Sequence, residues 1–176
     1  GQGTYTGGWN QILKLNSASS RSDETNHFNG TAPTTSVFSI GTDTNTNASG
    51  ATFIAYAFAP KVGFSKFGKY DATSSSDNFL YTGFKPGFVL IKKFVGSDSN
   101  SIFFDDARDT INPVKSRLLI TSDAENTGTN FLDFCATGFR IRSNSGWIHG
   151  GTDSYVFWAF ASEPVVSSGD VPCTAR

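Results

Sequence analysis

The sequence contains no methionine. A primary translation product begins with one, so the chain is expected to be a mature or trimmed product, or a segment of something longer. Cysteine is almost as scarce. Cys135 and Cys173 stand far apart, which excludes the disulfide framework of a small secreted scaffold. No Cys-x-x-Cys or Cys/His cluster accompanies them, so zinc is not expected. Both read as free thiols, with Cys135, inside "FLDFCATGF", a small buried hydrophobe. Charge is sparse and balanced: 16% of residues are charged, the formal net charge is −1, and no block of one sign occurs. That excludes the electrostatic footprint of a nucleic-acid binder. No apolar run approaches the roughly 20 residues that cross a bilayer, so membrane insertion is not expected. Helical stretches rich in Leu or Ala are also missing.

What is present is aromatic and turn-forming. The chain has 17 Phe among 176 residues, with Thr, Ser, Asn and Gly spread throughout. Such a composition favours strands joined by turns. One apolar heptad is written twice, as "FIAYAFA" at 53–59 and "YVFWAFA" at 155–161. Their surroundings agree as well. Phe38 and Ile40 match Phe139 and Ile141 at an offset of 101, a polar Gly/Asn/Ser/Thr loop follows in each, and the heptads match at 102. Upstream, "SDETN" (22–26) echoes "SDAEN" (122–126) at an offset of 100. Agreement in order, spacing and residue type marks an internal repeat.

Each copy reads as a hairpin whose first strand alternates. The return strand is apolar on both faces, as expected of a central strand buried on each side. Between the hairpins, "GKY", "FLYTG", "GFVLIKKF", "SIFFDDAR" and "RLLITSDAEN" read as further strands separated by turns, one of them at "SSSDN". About six strands in the second copy fit a sandwich. The expected fold is an all-β antiparallel sandwich, jelly-roll-like, made of two related repeats. The domains are an incomplete first lobe, residues 1–62, and a complete second lobe with a C-terminal tail, 63–176. The heptads would be equivalent central strands whose faces bury each other. Lys85, Lys92 and Lys93 around the "GFVLIKK" strand read as charges on a solvated sheet edge.

The order "YTGFKPGFVLIKK", "FFDDARD", "LLITSDAEN", "GFRIRS" and "YVFWAFA" resembles a module common in tailed-phage virion proteins. In that family a GFxPxxVxIK strand precedes an aromatic-Asp-x-x-Arg segment, an S/T-x-A-E turn, a GFxxx strand and a Gly-containing loop into YxxxAFA. The "NASGATFIAYAFA" of the first copy and the final "TAR" fit the same pattern. The resemblance covers about 100 residues of the second copy and about 40 of the first. It implies a virion-surface structural part, such as a tail-fibre, spike or capsid-appendage module, that assembles with other virion proteins or with copies of itself, or attaches to a host-surface glycan or protein. It implies no catalytic residue and no cofactor.

Two groups of residues stand out as candidate sites. "FFDDARD" concentrates Asp105, Asp106, Arg108 and Asp109 at a strand end. A carboxylate pair for glycoside hydrolysis, or a calcium site, would use such residues. The favoured reading is a structural ion-pair cluster that pins a loop, since charges near a core must be paired and no D-x-D-x-D-G pattern is present. The loop "SNSGWIHGG" carries Trp147 and His149, with Asn144 and Asp153 close by. These four form the candidate ligand-binding set, an exposed ring on which a sugar stacks with polar groups around it. The competing reading has Trp147 fold back to cap the sandwich. A carbohydrate-binding module of a secreted protein is therefore the alternative function, and an enzyme using Asp105 or Asp106 a more distant one. Asn29 and Asn47 head formal glycosylation sequons, which matter only in a secreted eukaryotic protein.

Overall fold

The computed structural model describes residues 8–73, 77–96, 100–163, 165–166 and 172–173; for the last two pairs and for residues 123, 124 and 126 it describes the backbone alone. The turn expected at 74–76, the side chain of Cys173 and the final Thr174–Arg176 lie outside the described residues. The fold is an all-β antiparallel sandwich. Its nine strands are β3 (Ser65–Asp71), β4 (Asn78–Tyr81), β5 (Pro86–Val95), β6 (Ile102–Asp105), β7 (Arg117–Leu119), β8 (Ser122–Asn126), β9 (Leu132–Cys135), β10 (Gly138–Ile141) and β11 (Ser154–Ala161). Ahead of them come a two-residue pair, β1 (Gln11–Ile12) with β2 (Ser22–Asp23), and two four-residue helices, α1 (Thr25–Phe28) and α2 (Thr44–Asn47). After them a second two-residue pair, β12 (Val165–Val166) with β13 (Pro172–Cys173), follows.

A six-stranded sheet runs in the order β3-β11-β5-β6-β7-β8, and a three-stranded sheet, β4-β10-β9, covers one of its faces. The core lies between them. Val89 and Ile91 of β5, Tyr155, Phe157 and Ala159 of β11, and Phe104 of β6 face Leu80, Leu132, Phe139 and Ile141 of the small sheet. The Phe139 and Phe157 rings join the two layers edge to face, 5.4 Å apart. Room for Phe157 comes from Gly68, its cross-strand partner on β3. A Cβ at Gly68 would stand 2.7 Å from the Phe157 ring. The apolar pattern of Tyr155–Ala161 is thus explained as expected: β11 is central, paired with β3 on one side and β5 on the other.

Three expectations need correction. The first heptad forms no strand within this chain. Residues 51–60 belong to no helix or strand, and every one of them is exposed. The sandwich is built from residues after 63 alone, so the two heptads do not bury each other. Second, Lys92 and Lys93 do not decorate an edge, whereas Lys85, just ahead of β5, is exposed. β5 lies between β11 and β6, so Lys92 and Lys93 are buried. Lys92 Nζ donates to the Ser17 carbonyl at 2.7 Å, and Lys93 Nζ pairs with Asp153 at 2.7 Å. An alkyl stem with a satisfied tip packs in a sheet much as an aliphatic residue does. Third, β9 was hidden in "FLDFC", whose register against β10 sets Phe134 opposite Phe139.

The outer face of the large sheet is partly covered by the start of the chain. Ser101 Oγ donates to the Leu15 carbonyl at 2.7 Å, and Ser20 Oγ donates to the Gly96 carbonyl at 3.2 Å. Farther along this face the rings of Phe67, Phe88, Trp158 and Phe160 cluster, and Phe58 rests against three of them at 5.8–6.3 Å.

Candidate functional site

The loop from β10 to β11 is folded by its own hydrogen bonds. The amides of Ile148 and His149 donate to the Ser145 carbonyl at 3.0 and 2.7 Å, making one helical turn. Ser143 Oγ accepts from the Ser145 amide at 3.1 Å. This turn drives Ile148 into the core, where it is fully buried. Tyr70 donates its hydroxyl to the Ile148 carbonyl. Tyr155 donates to the Gly146 carbonyl and accepts from the Gly150 amide, both at 2.9 Å. Burial raises the Tyr70 phenol well above its ordinary value and pushes that of Tyr155 up to about 12, so both remain donors at neutral pH.

Within this frame the four candidate ligand-binding residues separate. Trp147 is half-buried against the core. The Arg117 guanidinium lies 4.6 Å from its ring centre and 4.8 Å from that of Phe131, a cation held between two aromatic rings. His149 is buried beside Tyr70, with rings nearly parallel and 6.3 Å apart, and its Nε2 accepts from the Thr73 amide at 3.2 Å. Asp153 is taken by Lys93. Asn144 alone is exposed. It lines a polar surface cleft with Gly128, Thr129, Asn130, Arg142 and Ser143. Arg142 is held there by Asp133, its Nε donating at 2.6 Å. The cleft offers amide and hydroxyl groups without an exposed aromatic platform.

The "FFDDARD" residues are consumed locally. Asp105 accepts from the Arg108 amide at 2.9 Å and pairs with its guanidinium at 2.8 Å. Arg108 also lies over the Phe103 ring and within 3.8 Å of Glu125. Asp106 bonds the Ser162 hydroxyl, while Asp109 accepts the amides of Lys115 and Ser116 at 2.8 and 2.6 Å. One ion pair and two separate loop anchors take the place of a four-membered cluster. Cys135 is a free thiol, half-buried at the end of β9 rather than fully buried as expected, and desolvation, reinforced by Asp133, raises its ionisation above the ordinary thiol value.

One constellation escaped the sequence reading. Glu24, His27 and Asp43 bring their ligand-type atoms within 4.8 Å of one another. His27 is buried, with Nε2 3.0 Å from Glu24 and Nδ1 3.3 Å from Asp43. The two ring nitrogens point in diverging directions, and each faces its own carboxylate. The ring therefore stands as a bridge between the two carboxylates. Glu24 is held below its ordinary value by the Ser22 hydroxyl, with His27 adding to this, and Asp43 by the Asn45 amide. Nothing in the spacing of residues 24, 27 and 43 announces this convergence. The backbone ties of Gly41 and Asp43 to residues 26 and 27 create it.

A different surface stands out by its chemistry. Phe38, Ile40, Phe53, Ile54, Tyr56 and Phe58 are all exposed, Ile54 at 77% and Tyr56 at 79%. Residues 3–164 match a family model described as a domain of unknown function, DUF7483. The chain belongs to that family. No curated protein and no solved structure matches it. The DUF7483 match spans both the sandwich and the exposed apolar stretch ahead of it.

Proposed function

We propose that the chain is a structural module of a tailed-phage virion, carried on the particle surface in a tail fibre, spike or capsid appendage. Its work is assembly with other virion proteins or copies of itself, or attachment to a host surface. The observation that carries this reading is the apolar strip between residues 37 and 64. A run of exposed large apolar side chains of this kind marks a protein-contact site. Fully burying one such large side chain is worth about 1.5–3 kcal/mol, so the strip holds a large association energy. The pattern residues shared with phage modules support the reading in a second way. "GFVLIKK" forms β5, Asp105 and Arg108 pin the end of β6, and "YVFWAFA" forms β11. They serve the framework.

The carbohydrate-binding alternative looked to Trp147 as a stacking platform, and Arg117 covers that ring. A glycan would instead meet the cleft at Asn130 and Asn144. Binding of an apolar dye, native mass spectrometry and a glycan array on the same sample test the proposal. It expects dye fluorescence and loose, concentration-dependent association, both lost in Ile54→Asp/Tyr56→Asp. A strictly monomeric chain that binds no dye refutes it. A glycan signal abolished by Asn144→Ala would move the function to the cleft.

A further inference from the structure

Residues 8–62 keep parts of a second sandwich and lack its middle. The β1–β2 pair answers to β7–β8: Ile12 stands opposite Ser22 as Leu119 stands opposite Ser122. The turn at 43–47 answers to that at 145–149. Thr46 and Asn47 amides donate to the Asp43 carbonyl at 3.1 and 2.8 Å, and 102 residues later Ile148 and His149 donate to that of Ser145 at 3.0 and 2.7 Å. Just before these turns, Gly41 donates to the His27 carbonyl as Arg142 donates to that of Phe131, each at 2.8 Å. Heptad 53–59 then occupies the place of β11. Residues 37–40, in the place of β10, form no strand, and among the described residues no segment ahead of 63 answers to β3–β6.

The burial contrast shows what that omission does. Tyr155, Phe157 and Ala159, the inward side chains of β11, are 0% exposed. Their counterparts Phe53, Ala55 and Ala57 are all exposed, as are Ile54, Tyr56 and Phe58 from the other side. A segment apolar on both sides is satisfied only between two strands and under a second layer. We propose that residues 53–59 are the central strand of a second sandwich, and that the occupant of its flanks is a β3–β6 unit from another module of this same fold. The inference rests on the assembly reading above and names the partner.

The geometry adds detail. Phe58 already contacts Phe67, Trp158 and Phe160, so the completed second sandwich lies against the outer aromatic face of the first. Residue size is reversed at one point. Here Gly68 makes room for Phe157, whereas Ala55 fills the equivalent position in the heptad. The incoming strand therefore carries a larger residue opposite Ala55.

The test is hydrogen exchange of the 53–59 amides in two proteins. One is the full chain. The other is the full chain with a copy of residues 63–107, carrying Gly68→Val in that copy, fused ahead of Gly1. This keeps the spacing from the last added residue to Ile12 equal to that from Ala107 to Leu119. The fusion is expected to slow exchange at 53–59 by about 100-fold or more and to suppress dye binding. Ala57→Asp should reverse both in the fusion and leave exchange in the unextended chain unchanged. Fast exchange in the fusion with dye binding intact overturns the partner assignment while the assembly reading survives. A discrete oligomer of the unextended chain with 53–59 already protected also overturns it, making the strip a contact between copies. If the unextended chain is strictly monomeric and binds no dye, this inference and the assembly reading fall together.

Discussion

Replacing Asp153 by alanine is expected to cost much more than replacing its partner Lys93 by methionine. The two lie 2.7 Å apart, with the Lys93 side chain 4% exposed and that of Asp153 23%. Removing the carboxylate leaves an ammonium in the core, beside the Tyr155 ring at 5.9 Å. Breaking a buried pair this way costs about 3–5 kcal/mol. Methionine instead keeps the packing of the lysine stem and leaves a carboxylate that still reaches water, a loss of about 1–2 kcal/mol. With a urea dependence of about 2 kcal/mol per molar, the midpoint should fall by about 2 M for Asp153→Ala and under about 1 M for Lys93→Met. Equal shifts, or a larger one for Lys93→Met, would refute the assignment of the burial cost to the ammonium.

Other outcomes follow from the same packing. Gly68→Ala should destabilise by about 1–3 kcal/mol through its clash with Phe157, and Phe157→Leu should recover part of that loss in the double variant, measured by denaturant midpoints. Arg117→Met should leave stability unchanged or raise it, because the buried Arg117 Nε has no hydrogen-bond partner and burial already disfavours the charge. Thermal melts should show the Glu24 and Asp43 contribution fully present above the ordinary carboxylate range of about 4 and lost as pH falls below it, since both folded-state values are depressed. Glu24→Gln should flatten that acid limb, and an unchanged limb would remove Glu24 from the bridge.

The sequence exposed this fold where chemistry and burial coincide. β11 was legible because a run apolar on both faces has no stable place except a sheet interior, and β5 was legible up to its lysines. Lys92 and Lys93 misled because charge is normally a surface signal, while here each tip finds an oxygen brought by a distant segment. The heptad at 53–59 misled for the opposite reason. Its pattern states what environment the strand requires, and that environment is outside this chain's sheets. Trp147 could be read as platform or cap, and Arg117, which settles its surroundings, is thirty residues away with no local cue. The Glu24–His27–Asp43 bridge depends on backbone ties that no spacing rule encodes.

The strand order β3-β11-β5 has a kinetic consequence. The two walls of the β11 slot are complete by residue 95, but the strand that fills it arrives only at 154–161. Contacts this far apart in sequence form slowly. Heptad 53–59, directly ahead of β3 and alike in pattern, is synthesised before either wall and has first access. It is expected to act as a transient placeholder that β11 must evict. Ala57→Asp should then speed refolding, and identical refolding rates would show that the heptad never enters. On the ribosome, such a placeholder would shield an open sheet edge through the interval in which aggregation is the main hazard.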